Sequence, residues 1–383
     1  MASSNNRELI SKASPHTVKK FELIEEYVKS WAQKLMLNQY CNGIVFIDCM
    51  CNSGLYNDEN GALVEGTPIR VAKVLRDVAG QYPHKQVYLH FNDIDKDKTD
   101  LLQTKLPSSK ENYHVSVTHE DGNVLLKDIG SRLDQRKRLH YFLLYDPYDA
   151  SIDWEALFPF FRNWCEVMIN HMVSDPVRAI TQVKKRSTKI KYENTYLDAF
   201  ENLVPFGSDK NAYEKRVEEI IEALKGQREY FVAAFPFYNS QNSQVYSLIH
   251  CTGNIEGFKL YKKCAWKTFG ARSSTKNSHV DKDQLTMDFS GEGFVTTSTD
   301  ESCFGITDIA KYLSRAFAGQ VNVPLQTLWD LLDGHPIFPS DGYRKEIKND
   351  LKNVFGATIG IYINPESGKR ETVVTFLKGN PLI

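Results

Sequence analysis

Four acidic stretches follow apolar runs in this chain, and their residue types suit recognition of a nucleoside and of an amine. The first run, GIVFID (43–48), ends in Asp48 and continues Cys49, Met50, Cys51, Asn52, Ser53, Gly54. The second ends Asn92-Asp93-Ile94-Asp95, the third Glu120-Asp121-Gly122-Asn123, and the fourth Asp146-Pro147-Tyr148-Asp149. A carboxylate after the second run can accept hydrogen bonds from both hydroxyls of a ribose. One after the third, Asp121, can accept from an adenine amino group. The turn after the first must let backbone approach a ligand closely, which Gly54 permits. At the fourth, Asp146 and a neighbouring carbonyl can accept the hydrogens of an amine and aim its lone pair, while Tyr148 stacks on a base. Each aspartate taken singly is better explained as turn chemistry. Four in order, each closing a strand-like run, are better explained as a site.

The elements that must position these residues follow a regular alternation. Val18, Phe21, Ile24, Val28, Trp31 and Leu35 recur at helical spacing, with Ser14 expected as the cap and Pro15 in the first turn. Strand-like runs then alternate with helical stretches: GIVFID, KQVYLHFND (85–93), NYHVSVTHED (112–121) and RLHYFLLYDPY (138–148), separated by TPIRVAKVLRDVA (67–79), DKDKTDLLQTKL (95–106) and NVLLKDIGSRL. This order predicts a Rossmann-like α/β sheet with helices on both faces, in which ligands lie beyond the carboxyl ends of the strands. WEALFPFF and CEVMINHMV supply a further helix and strand, and EYFVAAFPF (229–237) and SQVYSLIHC (243–251) two late strands.

Residues 175–228 are charged and helical in pattern and are expected to form an insertion or lid. Residues 271–302, rich in Ser, Thr, Asp and Gly, are the expected linker. The first domain is therefore placed at 1–270 and a second at 303–383. The second holds three helical stretches followed by two strands, the order of a winged helix.

Composition narrows the function classes. A chain of 383 residues with net charge −1, 42% hydrophobic and 25% charged, reads as an ordinary folded protein rather than a uniformly basic nucleic-acid coat. No apolar stretch is long enough for a membrane helix, and the first residues have no apolar core of the signal-peptide kind, so the expected location is the cytoplasm. The seven cysteines are scattered and odd in number, as reduced thiols are; Cys49 and Cys51 lack the second pair that a zinc site needs, so no metal is expected. The sequence has no G-x-G-x-x-G fingerprint, P-loop, G-x-S-x-G elbow or H-E-x-x-H helix. His16, His90, His114, His119, His140 and His171 are read as core or surface residues. The basic runs 178–191 and 259–276 fit phosphate contacts and solvated faces equally well. Residues 301–383 carry nine basic and nine acidic residues, but Tyr343, Arg344, Lys345, Lys348 and Lys352 concentrate on the third helix of the second domain.

With these pieces assembled, the chain resembles the three-Cys-motif partner protein family of methyltransferase-like proteins. The resemblance rests on SPHTVKKFELIEEYVKSW, FIDCMCNSGLY, GTPIRVA, LLYDPYDASIDWEAL and VYSLIHCTGNIEGFKLYKKCAW, in that order, across roughly residues 14–270. Here Cys51 and Asn52 replace the alanine and first glycine of the family's D-x-F-A-G-x-G-x-Y pattern, and Asp146-Pro147-Tyr148-Asp149 stands for its D-P-F-G. The resemblance implies S-adenosylmethionine as cofactor and a partner with a three-cysteine, iron–sulfur-like motif. It also implies a winged-helix extension of the kind some members carry. The site residues expected for the cofactor are Asp48, Cys49, Gly54, Gly66, Thr67, Asp93 and Asp121. Those expected for the acceptor, a nucleic-acid base or nucleotide, are Asp146, Pro147 and Tyr148. A methyltransferase fold that binds and regulates without turnover is the alternative. A metal-dependent nuclease is weaker, since no tight carboxylate cluster is visible in the sequence.

Overall fold

The computed structural model describes residues 9–147, 151–172, 230–276, 303–363 and 370–377. The chain divides into two compact units, 1–258 and 259–383.

The first unit is built on a seven-stranded sheet. A short strand β1 (Ser11–Lys12) precedes helix α1 (Pro15–Leu37). Then follow β2 (Gly43–Asp48), β3 (Leu55–Asn57), β4 (Leu63–Glu65), α2 (Thr67–Gln81), β5 (Gln86–Asn92) and α3 (Lys96–Gln103). After these come β6 (Tyr113–Thr118), α4 (Gly122–Ser131), β7 (Leu139–Tyr145), α5 (Trp154–Leu157) and β8 (Cys165–Met172). The unit closes with β9 (Phe231–Tyr238), β10 (Gln244–Thr252) and the start of α6 (Ile255–Thr268).

The strand order is β6-β5-β2-β7-β8-β10-β9. The pairs β6/β5, β5/β2, β2/β7 and β7/β8 are parallel, whereas β10 runs antiparallel to both β8 and β9. The expected Rossmann-like sheet is present, with one strand reversed. In β2 and β7 both faces are buried: Ile44, Phe46, Phe142 and Leu144 on one, Ile47, Leu143 and Tyr145 on the other. Burial of both faces explains why these two strands read as continuous apolar runs rather than as alternation.

The chain moves outward from β2 to β5 and β6, then returns to β7 on the other side of β2. This reversal is the switch point where an open α/β sheet leaves a crevice at its carboxyl edge. Asp48, at the end of β2, lies in register with Leu144 of β7. Asp146 is two residues further on, so both carboxylates border that crevice.

The segment before α1 is tied across the turn that follows β2. Strand β1 pairs in parallel with β3, and β3 with β4. The Ala13 N–H donates to the Asn57 carbonyl at 2.8 Å. The expected side-chain cap at Ser14 is absent: its hydroxyl bonds the His16 ring and the Thr17 hydroxyl, each at 2.8 Å, and Pro15 occupies the first turn. Pro15 has no N–H, so one of the helix's orphan donors is missing in any case.

In the second unit, α6 continues beyond Phe258 and is followed by α7 (Ile306–Ala316), β11 (Val323–Pro324), α8 (Leu325–Gly334), α9 (Arg344–Asn353), β12 (Thr358–Ile363) and β13 (Arg370–Thr375). The strands form an antiparallel sheet in the order β11-β13-β12. Ile309, Leu313, Leu328, Leu332, Ile347, Leu351 and Val374 form its core, all fully buried. Burial and partners thus assign the later part of α6 to the second unit, where composition placed the whole helix in the first. Lys262 on this helix donates to the carbonyls of Leu332, Asp333 and His335 at 2.8, 3.0 and 2.7 Å, and Trp266 Nε1 to that of Ile337 at 2.9 Å. These bonds satisfy the orphan carbonyls at the end of α8. The basic run 259–276 is therefore partly internal, since Lys259 also pairs with Asp333 at 3.1 Å. The run 178–191, the insertion 175–228 and most of the segment 271–302 lie outside the described residues.

Candidate active site at the carboxyl edge of the sheet

The turn after β2 is held from three sides. Asn52 and Gly54 take left-handed backbone, φ 58° and 71°. At Gly54 an added Cβ would stand 2.7 Å from Leu102 Cδ1, so both conformation and space require glycine. Gly66, at the start of α2, is excluded from larger residues by the Tyr56 ring, 2.4 Å from where its Cβ would be. Its N–H donates to the Gly54 carbonyl at 2.8 Å, closing the turn onto the buried Thr67 that begins α2.

Asn92, fully buried at the end of β5, joins three strand ends. Its Nδ2 donates to the Cys49 and Glu120 carbonyls at 3.0 and 2.9 Å. Its Oδ1 accepts from the Thr118 hydroxyl and the Glu120 N–H, both at 2.9 Å. All four of its hydrogen-bonding positions are filled, which makes this buried amide a rigid clip.

Asp93 accepts from the Asn52 N–H through Oδ2 and from the Asp95 N–H through Oδ1, both at 2.9 Å. It therefore holds the turn after β2 as well as facing the crevice; each oxygen keeps a second lone pair for a ligand. Asp95 caps α3 through the Asp97 N–H. Asp121 is exposed and caps α4, with Oδ1 accepting from Asn123 and Val124 at 3.0 Å each.

Asp48 is buried, and its one described hydrogen bond comes from the Met50 N–H at 3.3 Å. Burial, then repulsion from Asp146, pushes its carboxyl up to about 8. Cys49 and Cys51 are buried thiols, and burial followed by the Asp48 charge raises both well above the usual thiol range. They are neutral packing residues at neutral pH. Tyr56 is held neutral by burial and by the nearby Asp146 and Asp48 charges.

Asp146 takes two charged or polar partners that sequence reasoning did not connect to it. Lys20, on α1, donates to Oδ2 at 2.7 Å, and Asn170, on β8, donates through Nδ2 to Oδ1 at 2.7 Å. The Lys20 ammonium also lies 5.2 Å from the Tyr246 ring centroid, and the Tyr246 hydroxyl donates to the His16 carbonyl at 2.9 Å. Signals for these residues were present. Lys20 interrupts the apolar face of α1 beside Phe21 and Ile24, and Asn170 sits inside the apolar run CEVMINHM. A buried polar residue at an apolar position asks for a partner. Pro147 follows Asp146 directly, and Tyr148 lies outside the described residues. A separate cavity of about 680 Å³, lined by Gln135, Arg162, Trp164, Tyr230 and Gly253, opens at the opposite, amino edge of the sheet, with no carboxylate among its described lining residues.

No protein-family model matches the chain, and no curated protein matches its sequence. Among solved structures, it is similar to a Legionella pneumophila protein at 11% identity, over 66% of this chain and 91% of that one, with a TM-score of 0.39. An O-methyltransferase from Bacillus cereus in complex with SAH is similar at 10% identity, over 60% of this chain and 80% of that one, with a TM-score of 0.31. A putative RNA methyltransferase from Pyrococcus horikoshii is similar at 12% identity, over 59% and 79%, with a TM-score of 0.26. These scores are low, and the Rossmann-like class of the first unit stands on its own strand order. Among the described residues no helix is long and apolar enough to cross a membrane.

Proposed function

We propose that this protein is an S-adenosylmethionine-dependent methyltransferase whose acceptor is an amino group of a nucleic-acid base or nucleotide. One observation carries the reading. The carboxylates of Asp48 and Asp146 stand on the two sides of the sheet's switch point, with the Gly54 turn and Asp93 beside them. The residues fit the cofactor, which carries two cationic groups and a ribose. Asp48 is a buried carboxyl with a single backbone bond, the kind of group a cationic ligand relieves. Asp93 keeps lone pairs for the ribose, and Asp121 closes the adenine end.

When bound, the cofactor supplies an already activated methyl group. The protein's own task is then positioning. Asp146 accepts a hydrogen of the acceptor amine and fixes the direction of its lone pair, Asn170 fixes Asp146, and Tyr148 stacks on the acceptor ring. For the second unit we propose a winged-helix role in contacting nucleic acid. Its element order supports this, as do Lys345, Lys348 and Lys352, which recur at helical spacing on α9 and have no ion pair among the described residues. A three-cysteine, iron–sulfur-like protein as partner rests on the sequence resemblance.

Calorimetric titration with S-adenosylmethionine and S-adenosylhomocysteine tests the cofactor. Labelled cofactor offered to mixed DNA, RNA and nucleotide pools, with and without the partner, tests transfer. A second reading, a binding protein that kept the fold and lost turnover, is favoured by Asn52 at a left-handed turn position and by the closed Lys20–Asp146 pair. Cofactor binding with no labelled product in any pool would select it.

A further inference from the structure

We propose that Lys20 determines acceptor specificity: with Asp146 it forms a donor–acceptor pair matched to the amidine edge of an adenine or cytosine, where an exocyclic amine adjoins a ring nitrogen. Asp146 accepts from the exocyclic amine, and Lys20 donates to the ring nitrogen next to it. This inference rests on the methyltransferase reading above and names the substrate class of the same site.

The geometry comes from two elements far apart in sequence. Lys20 lies on α1, 126 residues before Asp146, and its side chain is 9% exposed. Burying an ammonium costs several kcal/mol unless its hydrogens are used. Lys20 uses one of three: Nζ donates to Asp146 Oδ2, and the ammonium also lies over the Tyr246 ring. Two donor positions therefore remain beside the carboxylate. Asp146 in turn is anchored through Oδ1 by Asn170, leaving the second lone pair of Oδ2 next to the Lys20 hydrogens.

Asn170 adds an independent observation. Its residue is 1% exposed, its Nδ2 points at Asp146, and its Oδ1 has no hydrogen-bond partner. An unpaired buried acceptor is costly, so Asn170 Oδ1 calls for a further donor at this site. Lys20 and Asn170 thus hold Asp146 from its two oxygens.

Adenine presents an amine beside a ring nitrogen acceptor, as does cytosine. Thymine and uracil lack the amine. A lysine side chain or a protein N-terminus has the amine but no adjacent acceptor, and it would bring a second ammonium against Lys20. The buried Tyr246 ring, stacked on Phe237 and lying under the Lys20 ammonium, holds the lysine in place beside the carboxylate.

The test uses thymine oligonucleotides with one substituted base: adenine, 1-deazaadenine, 7-deazaadenine, cytosine or 3-deazacytosine. Fluorescence anisotropy reports affinity with S-adenosylhomocysteine present. The wild type should prefer adenine or cytosine to thymine by at least about tenfold and lose a similar factor when the correct ring nitrogen becomes carbon. K20M should lose that factor on the natural base and no longer distinguish it from its deaza form. K20R, which keeps donors, should retain part of the discrimination. Calorimetry with S-adenosylhomocysteine checks that each variant keeps its cofactor affinity and hence its fold. Equal binding of natural and deaza bases by the wild type overturns the proposal, as does full discrimination by K20M or no preference over thymine. Failure of the wild type to bind S-adenosylhomocysteine would instead overturn the methyltransferase reading. The base series, repeated without it, would still decide the role of Lys20.

Discussion

The carboxylates at the strand ends and the lysine at the end of α8 both bury charge, and they respond to pH in opposite directions. At the strand ends, like charges are gathered: Asp48 is pushed up to about 8 by burial and by Asp146. In the second unit, burial pulls the Lys262 ammonium down to about 7 and His335 to about 4, while Lys262 still feeds three carbonyls. His335 is fixed neutral, since its Nδ1 accepts from the Ile337 and Phe338 N–H groups at 3.1 and 3.0 Å. The first arrangement leaves an electrostatic demand that a cationic ligand would meet. The second meets its demand internally with backbone groups. Two buried clusters of similar polarity thus divide into one that suits a site and one that suits a joint.

The largest effect expected from breaking the first cluster is on turnover. Asp146→Ala should keep cofactor affinity within a few-fold and lower methyl transfer about a thousandfold, because only the positioning of the acceptor is lost. Transfer at the wild-type rate, measured with labelled cofactor, would remove Asp146 from its role.

Next comes Asp48. Its folded value of about 8 lies above the ordinary 3.8, so the native state holds a proton that the unfolded chain has released. Stability should therefore fall as pH rises from about 4 to 8, by up to about 5 kcal/mol. Asp48→Asn should flatten that slope and raise stability at pH 8.5, while weakening cofactor binding. Denaturant unfolding at pH 5.5 and 8.5 measures the slope, and an unchanged slope in the variant would contradict the assignment.

Lys262 should slope the other way. Its folded value lies below the ordinary 10.5, so the unfolded chain binds the extra proton, and this contribution to stability rises between pH 7 and 10. Lys262→Met should abolish that rise and loosen the end of α8, seen as faster hydrogen exchange at the residues after Leu332. A smaller effect belongs to His335, depressed from 6.5 to about 4. Acid should destabilise the second unit between pH 6.5 and 4, and His335→Gln should weaken that limb without altering the first unit's alkaline slope.

Much of the first unit was legible because burial on both faces writes β2, β7 and β8 as apolar runs, while β5, with Tyr88 exposed, still alternates. GIVFID, KQVYLHFND, RLHYFLLYDPY and CEVMINHMV fall on β2, β5, β7 and β8 with ends shifted by at most a few residues. The direction of β10 was not legible, since SQVYSLIHC reads the same whether a strand is parallel or reversed. The small sheet of β1, β3 and β4 has only two or three residues per strand, too few to show a period. Asp48, Asp93, Asp121 and Asp146 were visible by their position at run ends, yet their partners were not. Lys20 and Asn170 reach Asp146 across 126 and 24 residues, and no local pattern encodes such a meeting. The sequence places Asp121 for an adenine amino group, and its side chain also caps α4. The lysines of 259–276 read as one basic run because charge alone does not tell a buried donor from a solvated one. Lys262 is the buried kind.

The first helix also has to wait. Lys20 on α1 takes its partner from residue 146, and Tyr27 takes partners from Glu166 and His250, the last 223 residues downstream. During synthesis at roughly 5–20 residues per second, the helix would be complete about 10–45 s before the strand carrying His250 exists. Over that interval the helix can already pack on α2 and β2, and from residue 145 its Tyr27 and Trp31 rings can meet Phe142, but the bonds of Tyr27 to Glu166 and His250 must come last. A nascent chain stopped short of β10 would carry α1 docked on half a sheet, with its most buried polar link still to be made.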